Sequence, residues 1–103
     1  MDNTAISELL IYLRNDNRLI NQLESIYKNL SIKIKKGVYD ESLAPKCFRH
    51  LVKRAAKNYA IEFCSLDQWN AIFTVETRRE VEKHMAEYFL VEFRLGNMEY
   101  LFE

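Results

Sequence analysis

The chain has 103 residues, 49% hydrophobic and 29% charged, with 15 basic and 15 acidic side chains that cancel to a formal charge of zero. A chain of this length buries roughly 60–70% of the surface its unfolded form exposes, enough for one domain that needs no staples. With 2 glycines and 1 proline it has little turn punctuation, and because catalytic groups concentrate on loops, this composition weighs against an enzyme.

No apolar run reaches the roughly 18 residues of a membrane span. The opening Met1-Asp2-Asn3-Thr4 lacks the basic-then-apolar order of a secretory signal. Cys47 and Cys64 would stand about 25 Å apart on one helix, beyond the reach of a disulfide. Two free thiols fit a reducing compartment, so a cytoplasmic protein is expected. The neutral total also hides a segregation. Residues 28–57 hold nine bases (Lys28, Lys33, Lys35, Lys36, Lys46, Arg49, Lys53, Arg54 and Lys57) against Asp40 and Glu41, whereas residues 58–103 are net acidic.

In chain order, the first segment runs from about Thr4 to Lys36. Ile6, Leu13, Ile20, Tyr27 and Ile34 recur every seventh residue, with Leu9, Leu23 and Leu30 in the intervening position. Two readings fit. One is a continuous helix able to pair as a coiled coil. The other is a pair of helices broken at Asn15-Asp16-Asn17, with Asp16 or Asn17 capping the second; three consecutive poor helix formers favour the break. Gly37 supplies the stop after Lys35 and Lys36. Val38–Ala44 is a connector, in which Asp40 caps a turn and Pro45 opens the next helix. That helix, Pro45–Phe63, places Phe48, Leu51, Val52, Ala55, Ala56, Tyr59, Ala60 and Phe63 on one face.

Ser65 or Asp67 can cap a short helix containing Trp69, Ile72 and Phe73. Thr74 then caps a longer helix with Val81, Met85, Tyr88 and Phe89 inward. Beyond Tyr88 the pattern reads two ways. In one the helix continues, Gly96 is its cap and the last residues dock as a tail. In the other Val91–Leu95 and Met98–Phe102 form a hairpin around Gly96-Asn97; an isolated hairpin is marginal, which favours the helix. The expected fold is all-α, one bundle of about four to five helices, with the short β-hairpin as the alternative ending.

The chemistry-bearing pattern is a basic stripe. Lys46, His50, Lys53 and Lys57 follow helical spacing along about 16 Å, Arg49 and Arg54 flank them, and Lys33, Lys35 and Lys36 join if the preceding helix packs alongside. No acid lies between Glu41 and Glu62 to neutralise the stripe. Such a row suits an acidic protein surface or nucleic-acid phosphates, or is simply a solvated face. It lacks the interleaved aromatics of a single-strand binder. A helix-turn-helix over residues 45–73 fits poorly, since its second helix offers little positive charge. His84 with Glu80 and Glu87 reads as a surface charge network rather than a metal site. The acids Glu76, Glu80, Glu82 and Glu87 alternate with Arg78, Arg79 and Lys83 and form no catalytic pair. Cys47 and Cys64 lack the context of a nucleophile, and Trp69 with Phe73 reads as core. No cofactor or metal motif is present.

Lys35-Lys36-Gly37-Val38-Tyr39-Asp40, followed by Leu43-Ala44-Pro45-Lys46, resembles a group of small proteins of tailed phages and mobile elements. Their pattern continues through Leu51, Val52, Ala55, Ala56, Lys57 and Tyr59 to Trp69, Phe73 and Arg78. His50, the cysteines and the apolar stretch from Phe89 depart from it. The resemblance brings no catalytic or binding residues. It implies a context: a small non-enzymatic accessory protein that acts by binding a host protein or nucleoprotein, for instance as an inhibitor of an anti-CRISPR or anti-restriction type. Direct nucleic-acid binding through residues 28–57, and self-association as a homodimer through the Ile6–Ile34 heptad or the Val91–Phe102 tail, are the other expectations.

Overall fold

The computed structural model describes residues 3–63, 67 and 73–103. It contains α1 (Asn3–Asn15), α2 (Asn17–Lys35), α3 (Arg49–Phe63) and α4 (Val75–Arg94), with 3-10 turns at Ala44–Phe48 and Glu99–Phe102. No strand occurs among the described residues, and the architecture is a small all-α bundle.

The polar interruption divides the first segment. Asn15 donates its side-chain amide to the Ile11 carbonyl (2.8 Å), and Asp16 adopts extended backbone. The Asp16 carboxylate then caps α2 by accepting from the Arg18 backbone N–H at 2.8 Å. The Arg18 guanidinium folds back onto the same carboxylate at 2.6 Å and also reaches Glu62 at the end of α3. Hydrogen bonds from Arg18 hold the Asp16 carboxyl well below the usual range. Burial, followed by the neighbouring Asp16 carboxylate, pushes the Tyr12 phenol up to about 12. The continuous-helix reading is thereby replaced by a two-helix corner. Ile20, one member of the heptad, is 40% exposed because the corner turns it off the seam.

Both glycines end helices. Gly37 and Gly96 have φ of 73° and 80°. At the first, Gly37 N–H bonds the Ile34 carbonyl and Val38 N–H bonds that of Lys33; at the second, Gly96 bonds Phe93 and Asn97 bonds Glu92. This paired pattern satisfies the last carbonyls of α2 and α4 and needs a left-handed residue. The hairpin alternative is overturned: Val91–Arg94 complete α4, the chain reverses at Gly96, Met98 is buried, and Glu99–Phe102 form one turn on α2.

The core joins α1, α2, α3 and α4. Leu9, Leu13, Leu19, Phe48, Leu51, Val52, Val81, Met85 and Phe89 are fully buried, and Tyr27 stacks on Phe89 with ring centroids 5.5 Å apart. Burial is also the main force raising the Tyr27 phenol's pKa. Thr74 caps α4, its hydroxyl accepting from the Thr77 N–H at 3.2 Å. Three details differ from the periodic pattern. The helix expected from Pro45 begins as a 3-10 turn, and α3 proper starts at Arg49. Phe63, assigned to the core face, is 64% exposed at the end of α3, its ring meeting Tyr12 and Tyr59 edgewise or tilted. Tyr88 lies on the rim of α4, with the Arg14 guanidinium 4.3 Å from its ring centre. Ser65, Trp69, Ile72 and Cys64, and with them the short helix, the Trp69–Phe73 pair and the second helix of the helix-turn-helix reading, lie outside the described residues. No described helix is long and apolar enough to cross a membrane.

Candidate polyanion interface

α2 and α3 lie side by side and run antiparallel. Arg54 donates to the Gln22 side-chain oxygen at 3.2 Å near the start of α2. Lys33, near its end, lines one small cleft with Cys47 of the 3-10 turn that precedes α3. The apolar stripe of α3 fixes which way its cations face. With Leu51, Val52, Ala55 and Ala56 buried, 3.6-residue periodicity turns His50, Lys53 and Lys57 outward, and the 3-10 turn before α3 adds Lys46. All four are exposed, and none makes an ion pair or side-chain hydrogen bond within the described residues. Lys33 and Lys36 of the α2 end are likewise exposed and unpaired. The outward positions of α2 on this side, Ser25, Asn29, Lys33 and Lys36, include no acid. The two rows form one cationic face about 16 Å long on its α3 edge.

The remaining members of the sequence-derived set are placed differently. Arg49 is turned toward α4, where its Nε stands 3.9 Å from the Glu82 carboxylate. Arg78 binds the other oxygen of Glu82 at 3.0 Å from within α4. Glu82 is 2% exposed, so a buried carboxylate holds two arginines in the α3–α4 seam. The Arg49 Nε is buried with no hydrogen-bond partner, since the gap to Glu82 exceeds bonding distance. Lys35 ion-pairs with Glu99 at 3.6 Å and sits 3.8 Å from the centre of the Phe102 ring. Arg54 stays exposed while anchored to Gln22. Of nine candidate side chains, six converge on open surface, Arg54 borders them, and Arg49 and Lys35 are engaged within the fold.

Sequence reasoning missed Glu82. Alternation with Arg78 and Lys83 made it look like part of a solvated charge network. The available signal was that Glu82 follows Val81 and precedes Met85 on the buried arc of α4. His84 does stand in such a surface pair, its Nε2 4.0 Å from Glu80. Among the described residues no group of three or more His, Cys, Asp or Glu side chains comes together as a metal site would require. A recess of about 310 Å³ lies between the connector and α4, with Tyr39 and Pro45 facing Lys83 and Glu87. The cationic face can therefore offer charge and N–H donors to an extended anionic surface, with no aromatic platform for stacking. No protein-family model, curated protein or solved structure matches the chain.

Proposed function

We propose that this protein acts by binding rather than catalysis, and that the face built from His50, Lys53 and Lys57 on α3, Lys46 in the 3-10 turn before it, and Lys33 and Lys36 at the end of α2 holds a polyanionic partner. What supports the reading is the row of outward cations with no ion pair among the described residues, beside Arg49, which is engaged with Glu82 on the α4 flank of the same helix. In the context implied by the phage-type resemblance, the partner is an acidic surface of a host protein or nucleoprotein, and binding it inhibits a host defence system. Tagged protein is used to capture partners from host lysate, with and without nuclease. A defined host protein that survives nuclease, and is lost on combined Lys46→Glu, Lys53→Glu and Lys57→Glu, is the expected result. Undiminished capture by that variant defeats the assignment of the face.

Direct nucleic-acid binding is the second reading, favoured by the spread of the cations over two adjacent helices. A face neutralising four to six phosphates would lose affinity with a log–log salt slope of roughly −4 to −5 on duplex DNA. No mobility shift at low salt rejects this version.

A further inference from the structure

A second surface stands apart from the basic face and does not rest on the reading given to it. On α4, Tyr88, Val91 and Leu95 follow helical spacing along a side that the bundle leaves open; Val91 is 53% and Leu95 67% exposed. Beside them lies a recess of about 260 Å³ whose walls include Ile20, Tyr88 and Tyr100. A projecting leucine and an aromatic-walled recess thus adjoin on one face. That juxtaposition is what a two-fold interface requires, because each copy must present both halves of the contact.

The charges around this side are also self-complementary. Glu87 precedes Val91 by one helical turn and Arg94 follows it by about one turn; both are exposed, and neither makes an ion pair or side-chain hydrogen bond within the described residues. If two copies of α4 pack antiparallel about an axis near Val91, residues one turn before it in one copy meet residues one turn after it in the other. Glu87 then faces Arg94, twice by symmetry, and Tyr88 faces the Arg94–Leu95 turn. Parallel packing would instead set Glu87 against Glu87, so the charge order selects the antiparallel arrangement.

We propose that the Tyr88–Val91–Leu95 face of α4 is the homodimer interface of this protein, formed antiparallel with a second copy of the chain. An interface centred on one helix pair falls at the small end of specific complexes, below about 1,200 Å², so the pairing is expected in the micromolar range.

Sedimentation equilibrium from micromolar to several hundred micromolar protein tests it. The expected wild-type result is a reversible monomer–dimer equilibrium. Val91→Glu should be monomeric throughout while keeping its helical circular dichroism and melting temperature. Glu87→Arg alone and Arg94→Glu alone should each weaken pairing by about tenfold or more, because each sets two like charges in contact. The two reversals combined should restore the wild-type constant. A wild-type chain that stays monomeric over the whole range overturns the proposal. So does a dimer indifferent to Val91→Glu, or a double reversal that fails to recover what the single ones lose.

Discussion

The two flanks of α3 carry cations of the same kind and put them to opposite uses. On the α4 side, Arg49 is half-buried against the carboxylate of Glu82, which Arg78 also grips. On the outward side, Lys46, Lys53 and Lys57 have no ion-pair partner among the described residues. One turn of helix separates a charge engaged in the fold from a charge that contributes little to it. Location relative to the apolar stripe, rather than residue type, decides which is which. A buried charge must be paired because desolvation is costly, whereas a solvated lysine loses almost nothing by standing alone.

Replacing Glu82 is the most damaging way to break this contrast. Glu82→Ala leaves two arginines facing each other in a seam with no counter-charge. The cost of removing one partner from a buried pair is about 3–5 kcal/mol, and the partial exposure of Arg49 brings the expectation to about 2–4 kcal/mol. Urea denaturation should show this as a lower midpoint at unchanged slope. A change below about 0.5 kcal/mol would mean that Glu82 is no more engaged than a surface acid.

The corner at Asp16 is the next largest. Asp16→Ala removes the α2 cap and the anchor of Arg18, for an expected loss of about 1–2 kcal/mol. Its pH dependence has a definite sign. Because the folded pKa of Asp16 lies below its unfolded value, the stabilisation is fully present above about pH 4 and is lost as pH falls toward the folded pKa. The wild-type and Asp16→Ala stabilities should accordingly differ at neutral pH and converge in acid. A gap that persists unchanged in acid would assign the loss to helix packing rather than to the carboxylate.

The same contrast explains what could be read in advance. The α1–α2 break, the Thr74 cap and the Gly37 stop were legible because each depends on a few adjacent residues with strong local preferences. The core stripe of α3 was legible because apolar spacing alone fixes it. Ile20 and Phe63 obeyed the periodicity yet lie exposed, since whether another helix covers a given turn depends on how the corner and the bundle end are built. Arg49 and Lys35 shared the composition of the basic stripe, but their partners Glu82 and Glu99 are distant in sequence and are brought to them only by folding. The alternation Val91–Leu95 fitted strand and helix equally, and the left-handed Gly96 closing α4 resolves it.

Gly37 and Gly96 give a smaller effect. A methyl group at either position would meet no atom within 4 Å, so the penalty is conformational. Gly37→Ala and Gly96→Ala should each cost about 1–2 kcal/mol, the strain of a left-handed residue with a Cβ. Replacement by Asn, which tolerates that conformation, should recover part of the loss in thermal melts. Equal destabilisation by Ala and Asn would point to a constraint other than φ.

The smallest expected stability effect falls on the outward flank, and it is the sharpest form of the comparison. Lys46→Gln, Lys53→Gln and Lys57→Gln together remove three charges that touch no counter-ion among the described residues, on a helix whose inner stripe is unchanged. Gln is nearly as good a helix former as Lys, so folding should shift by less than about 0.5 kcal/mol. Unlike reversal to Glu, neutralisation introduces no new ion pair that could mask or mimic an effect. If stability holds while partner capture falls, those lysines serve recognition and the division of α3 into a folding flank and a binding flank stands. If stability falls by as much as it does for Glu82→Ala, the outward row is part of the fold, and the contrast between the two flanks disappears.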